Sequence, residues 1–248
     1  MTPQEIDALH AAMDGGGPPC PVPDLDLPAA YACAQALHQR RLAAGWQPAG
    51  RKIGHTRQEL WPALGLQAPS WGWLYAERMG PLWQPELTPT REPKVELELV
   101  LHLGTTPPPD ADLKALRACV DQIALGLEWV DRPYTAWSFP VPASIAAGGV
   151  HQGLSLGPPL PPDAVNWDTL EARLQVDAAV SEGGSALVLG SPLRALERLH
   201  KLLQEQGQTG LQAGEWITTG ALAPALPVRA GQRLDAQISG LPLLTIYL

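Results

Sequence analysis

Cysteine is scarce and badly placed for cross-linking: Cys20, Cys33 and Cys119 are odd in number and follow no CxxC spacing. That excludes a disulfide scaffold and a zinc ribbon, and leaves reduced, buried thiols as the expectation. Positive charge is also short. Seventeen Lys and Arg face 25 Asp and Glu, for a net charge of −8 and a sequence pI near 5.2. Counterion-release binding to nucleic acid needs a basic stripe, and none is present. No apolar run reaches the length of a membrane span. Met1 to Met13 carries Glu5, Asp7 and His10 where a leader peptide would need a basic region followed by an apolar one. The expectation is a cytoplasmic protein with no nucleic-acid and no membrane partner. What remains is a 248-residue chain, 45% hydrophobic and 17% charged, which is globular in composition and long enough for one large core. Any anion such a chain handles must be met by locally concentrated cations or by a metal.

The first 75 residues read as a helical region. Thr2-Pro3-Gln4-Glu5 is a capping box with Pro in the first turn, and Gly15-Gly16-Gly17 ends that helix. Asp26 caps a second helix that runs to about Ala44, where Gly45 stops it. A short third helix is expected from the Thr56-to-Glu59 capping pattern to Gly65. Residues 76–248 read as a β-rich core. From Lys94, Val95, Leu97, Leu99, Leu101 and Leu103 alternate with Glu96, Glu98, Val100 and His102, the period of a strand. Leu113, Leu116, Val120 and Ile123 have helical spacing over Asp112 to Ile123, and Leu125 to Val130 is strand-like. After Trp216, short apolar runs broken by Gly220, Gly231 and Gly240 predict strands joined by tight turns. The 27 prolines gather between such runs. Strands and helices do not alternate regularly, so the fold class is α+β, with a helical lead-in and a curled mixed sheet as its core.

The sharpest chemical feature is Glu96-Leu97-Glu98. Residues two apart on a strand share a face, so both carboxylates point one way. An isolated Glu-x-Glu is ordinarily a solvated strand face. Glu128 changes the balance, because it sits in Leu125-Gly126-Leu127-Glu128-Trp129-Val130, where an unpaired carboxylate would be costly. Three carboxylates on two strands suit Mg²⁺ or Mn²⁺. His102 shares that face but lies too far along to join them. The Trp-rich stretch Trp61, Trp71, Trp73 and Trp83 reads as packing rather than pocket.

An ordered series of motifs then becomes specific. Arg51-Lys52-Ile53-Gly54-His55-Thr56 resembles the Lys-(Ile/Val)-Gly-Leu-Thr segment of 2-hydroxypenta-2,4-dienoate hydratases and 4-oxalocrotonate decarboxylases. Leu64-Gly65-Leu66 with Trp71-Gly72-Trp73-Leu74, Lys94-Val95-Glu96-Leu97-Glu98 and Gly126-Leu127-Glu128 are similar to their Leu-Gly-Val with Phe-Gly-x-Leu, Arg-Ile-Glu-x-Glu and Ala-Leu-Glu stretches. Gly190-Ser191-Pro192-Leu193 and Thr218-Thr219-Gly220-Ala221-Leu222 resemble their Gly-x-Pro-Leu and Leu-Thr-Gly-Ala-Leu segments. The matches keep their order from about Ala29 to the C-terminus. They identify the chain as resembling this family of the fumarylacetoacetate-hydrolase superfamily.

The resemblance implies that Glu96, Glu98 and Glu128 hold Mg²⁺ or Mn²⁺, and that the substrate is a small 2-oxo or 2-hydroxy-dienoic acid. It implies a homo-oligomer. Lys52 matches the family lysine, which neutralises developing charge or relays protons, and Glu77 stands where an Asp is usual, so both are catalytic candidates. Thr219 and Gly220 are candidates for the substrate carboxylate, with a structural turn as the alternative. Two departures touch the pocket. Ser144-Ile145-Ala146-Ala147 replaces Asp-Asn-Ala-Ser, and His55 replaces a Leu. Ser144 and His55 therefore join the substrate-binding candidates. The implied activity is hydration of a 2-hydroxy-2,4-dienoate to a 4-hydroxy-2-oxo acid. A 4-oxalocrotonate-type decarboxylase and a non-catalytic partner subunit are the alternatives.

Overall fold

A computed structural model describes residues 1–81, 83–87 and 92–248. The chain runs through α1 (Pro3–Asp14), α2 (Leu27–Ala43), β1 (Pro48–Gly54), α3 (Trp61–Leu64), β2 (Ser70–Tyr75), β3 (Met79–Pro81) and β4 (Lys94–Leu103). It continues through α4 (Leu113–Cys119), β5 (Val120–Val130), α5 (Val141–Ala146), β6 (His151–Leu156), β7 (Glu171–Val176) and β8 (Ala179–Gly184). Last come α6 (Pro192–Glu205), β9 (Trp216–Thr218), β10 (Leu226–Pro227), β11 (Arg233–Ile238) and β12 (Leu244–Tyr247). The expected α+β class is what the structure shows. An eight-stranded mixed sheet has the order β2-β1-β9-β4-β5-β6-β3, with β10 added to β4, and a four-stranded sheet has the order β12-β11-β7-β8. In the large sheet β1 pairs parallel with β9 and β3 parallel with β6, and the other pairings are antiparallel.

The first two caps read from sequence are present. The Thr2 hydroxyl accepts from Glu5 N while the Glu5 carboxylate accepts from Thr2 N at 2.7 Å, and Asp26 accepts from Ala29 N. The second helix ends at Ala43, however, and residues 48–75 then supply β1 and β2 on either side of the short α3. Ser70-Trp71-Gly72-Trp73-Leu74-Tyr75 is buried at every position. A strand covered on both faces has no polar alternation, so its sequence does not announce it. These strands complete the large sheet, with β1 lying between β2 and β9. The short third helix begins as a 3-10 turn over Gln58–Leu60 and ends at the left-handed Gly65, but Thr56 does not cap it. The Thr56 hydroxyl instead reaches the Leu187 carbonyl at 3.4 Å. The helix expected over Asp112 to Ile123 stops at Cys119, and Val120 already belongs to β5. β-branched Val120 and Ile123 suit the strand, and their spacing alone mimics a helix.

One face of β4 and β5 carries the core. Leu97, Leu99, Leu101, Leu125, Leu127 and Trp129 are buried there with Leu174, Leu234 and Ile246 of the small sheet and Leu196, Leu199 and Leu203 of α6. The stripe Ala195, Leu196, Leu199, Leu202 and Leu203 explains α6, which Ser191 caps through Leu193 N. Trp71 and Trp73 pack edge to face at 4.6 Å, and His38 stacks on Trp73, as expected of packing aromatics. Cys20, Cys33 and Cys119 are buried thiols. No helix among the described residues is long and apolar enough to cross a membrane.

Candidate functional site

The opposite face of β4 and β5 holds the charge. Antiparallel pairing sets Glu96 directly across from Glu128, and Glu98 across from Gly126. Like charges in opposed positions destabilise a sheet. Here two of the three are also buried, since Glu98 is 1% exposed and Glu128 0%, while Glu96 is half-buried. One carboxylate oxygen from each of Glu96, Glu98 and Glu128 lies within 4.8 Å of the other two. The cluster faces a cavity of about 450 Å³ that is also lined by Lys52, His55, Ser144 and Gly220.

Three groups hold Glu128 and Glu98 in place. Lys52, 5% exposed on β1, donates its ammonium to Glu128 Oε1 and lies 3.4 Å from the Gly149 carbonyl. His151 Nδ1 lies 3.0 Å from the same Glu128 oxygen. The backbone N–H of Gly220 donates to Glu98 Oε2 at 2.8 Å. Gly220 has φ +101°, and a Cβ there would collide with the Thr56 side chain, so both the turn and the close approach require glycine. Glu128 Oε2 is buried with no hydrogen-bond partner among the described residues.

The electrostatics follow from that geometry. Burial, reinforced by Glu128, raises Glu96 to about 7. Burial and then the two neighbouring carboxylates push Glu98 well above the usual range. Burial acts in the same direction on Glu128, but Lys52 and His151 overcome it and hold that carboxyl at about 2. Burial opposes the charge on Lys52, and Glu128, Glu96 and Glu98 together restore it and raise its pKa. With all three carboxylates ionised, as a bound cation would require, three against one ammonium leave two negative charges, which one divalent cation would balance. Hard oxygen donors, an unpartnered Oε2 and that balance fit a hard divalent cation.

The remaining sequence candidates divide. His55 lines the cavity with φ 57°, its Nδ1 2.7 Å from Ser70 Oγ, and burial followed by the Lys52 charge lowers its pKa to about 4. Ser144, buried on α5, also lines the cavity. Thr219 does not turn toward it, because its hydroxyl donates to the Leu99 carbonyl at 2.7 Å. Glu77 is not brought to the site. It is exposed in a 3-10 turn over Ala76–Arg78, and both its oxygens accept from Gln47 N at 3.0 and 3.1 Å. His102 sits 2.6 Å from Asp121 at the far end of β4.

Sequence reasoning missed His151, Trp137 and Phe139. The two aromatics line the cavity, with Lys94 Nζ 4.2 Å above the Trp137 ring. Composition marks Phe139 only as the single Phe of the chain, and nothing in the local pattern of 131–140 directs it inward.

Comparison with known proteins agrees with this architecture. No family model matches the chain. A TodF product hydratase from Pseudomonas putida is 32% identical over 252 residues, 96% of this chain and 92% of that one. A 2-keto-4-pentenoate hydratase from Paraburkholderia xenovorans is 31% identical over 255 residues, 97% of this chain and 93% of that one. Among solved structures, 4-oxalocrotonate decarboxylase from Pseudomonas putida G7, complexed with magnesium and adipate, superposes with a TM-score of 0.85 at 22% identity. That match covers 100% of this chain and 98% of the other. A Yersinia pestis protein of the fumarylacetoacetate hydrolase family shares the fold at a TM-score of 0.59 and 13% identity, over 80% of this chain and 91% of its own. The chain has the fold of these two structures, and that fold frames the carboxylate-lined cavity. By its relatives, the chain belongs to the 2-keto-4-pentenoate hydratase family.

Proposed function

We propose that this chain is a divalent-metal-dependent hydratase that converts a 2-hydroxy-2,4-dienoate into a 4-hydroxy-2-oxo acid. The observation that carries this reading is the cluster of half-buried Glu96 with buried Glu98 and Glu128, beside Lys52 at a cavity of about 450 Å³. Two hydratase relatives at 31% and 32% identity over nearly the whole chain support it. Glu96, Glu98 and Glu128 would hold Mg²⁺ or Mn²⁺, which when bound supplies Lewis-acid polarisation of a 2-oxo acid. The other roles fall to the protein. Lys52, kept charged by its carboxylate neighbours, stabilises negative charge at the substrate 2-oxygen and is placed to return a proton. His55, neutral at pH 7, and Ser144 offer polar contacts to the substrate from the cavity wall. Gly220 acts by fixing Glu98. Glu77 has no part in the proposed chemistry.

The test follows loss of the dienol absorbance of freshly prepared 2-hydroxypenta-2,4-dienoate, with Mg²⁺ or Mn²⁺ and then with excess EDTA. Spontaneous ketonisation is subtracted, and the product mass is measured. Metal-dependent gain of one water establishes the reaction. Carbon dioxide release from 4-oxalocrotonate without hydration would replace this reading with the decarboxylase. Metal binding with neither reaction would point to the non-catalytic subunit. A homo-oligomer is expected by resemblance to the family, and a monomer in size-exclusion chromatography with light scattering would contradict that.

A further inference from the structure

His151 stands outside every motif of the sequence and touches the most buried carboxylate of the site. Its side chain is 4% exposed, with Nδ1 3.0 Å from Glu128 Oε1. An ionised carboxylate only accepts, so the proton of a neutral imidazole must be on Nδ1. Lys52 donates to that same Oε1, and Oε2 is the oxygen left without a partner. Two donors on one oxygen restrain the carboxylate and leave the other oxygen free, in a cluster where each of the three carboxylates has an oxygen within 4.8 Å of the other two.

The backbone is shaped to bring His151 there. Along β5 and β6 the register pairs Trp129 with Gly153, then slips by one so that Val130 pairs with His151 rather than Gln152. A ladder without that bulge would put Gln152 beside Val130. Instead the Gln152 amide contacts Met13 Sδ at 3.7 Å on α1. Bulges of this kind re-aim a side chain next to a functional site. Just upstream, Gly149 and Val150 have φ 72° and 54°, and left-handed backbone at a β-branched residue persists only where its surroundings impose it.

We infer that His151 is a positioning residue, which locks Glu128 Oε1 by a hydrogen bond so that Oε2 is presented to the cation. The role rests on Glu128 holding a metal, as proposed above. Partners that orient a metal-bound carboxylate typically contribute 10–100-fold to affinity.

The test is calorimetric titration of Mn²⁺ into EDTA-stripped protein at pH 7.5, without substrate. His151→Leu should weaken Mn²⁺ binding by about 10–100-fold. His151→Asn, whose amide N–H falls near the Nδ1 position, should recover most of that loss. His151→Gln, which places its amide at the Nε2 position, should not. If His151→Leu fails to fold, the Asn and Gln pair carries the test, and Asn must bind the tighter. Equal Mn²⁺ affinity for His151→Leu and the parent would overturn the role, as would equal affinity for Asn and Gln. Failure of the parent chain to bind Mn²⁺ would instead sink the metal site itself, so the two failures are distinguishable.

Discussion

The two sheets use charge in opposite ways. In the small sheet, β7 alternates exposed and buried positions, with Ala172, Leu174 and Val176 turned inward and Glu171, Arg173 and Gln175 outward. Its ion pairs lie in water: Arg173 meets Glu182 at 2.8 Å with side chains 44% and 67% exposed. The large sheet buries Glu98, Glu128 and Lys52 on one face, where each is 5% exposed or less. Exposed pairs contribute little and can be lost cheaply, whereas breaking a buried pair strands a charge. The difference teaches where function lies. The opposed carboxylates of the large sheet are the charges that the proposed cation would neutralise.

Removing Lys52 attacks the comparison hardest. Lys52→Met should destabilise the metal-free protein by about 3–5 kcal/mol, measured by urea unfolding, because Glu128 keeps its burial and loses its cation. Next in size is Glu98→Gln. Turnover should fall by about 10³-fold, the several kcal/mol that Lewis-acid stabilisation supplies, while the fold persists by circular dichroism. Unchanged turnover would mean the buried cluster is structural after all.

Metal removal and pH give a third, smaller effect. Glu96 rises from its ordinary 4.5 to about 7 and Glu98 is also raised, mainly by burial. The folded metal-free protein therefore holds protons that the unfolded chain has released above pH 4.5. That contribution to stability is full below pH 4.5 and is lost as pH rises through about 7. Metal replaces those protons, so its effect on Tm should be small at pH 5 and larger at pH 7.5. At a hundredfold excess over Kd the gain at pH 7.5 should be about 5–10 °C, read by thermal melts with and without EDTA. A gain that shrinks with rising pH would contradict the assignment. Smallest of all, Arg173→Ala in the exposed pair should change stability by no more than about 0.5 kcal/mol.

The same contrast explains what was legible. Glu96 and Glu98 stood out because alternation exposed their shared face, and Glu128 because an apolar strand has no cheap place for a lone carboxylate. Lys52 was found through the motif beside it. β1 and β2 escaped because strands covered on both faces lose the period that reveals them. Glu77 matched a motif position, yet the chain turns it to Gln47 in solvent. Thr219 was the right neighbourhood and the wrong atom: its hydroxyl serves the Leu99 carbonyl, while the next residue's N–H holds Glu98. His151 depended on a one-residue slip in register, which no periodicity encodes.

The most direct test of the central claim is the stoichiometry of Mn²⁺ binding to EDTA-stripped protein, measured for the parent chain and for Glu98→Gln. One saturable ion per parent chain, lost in the variant, is the predicted result. A parent that binds no Mn²⁺, or a variant that binds it equally well, would contradict the account.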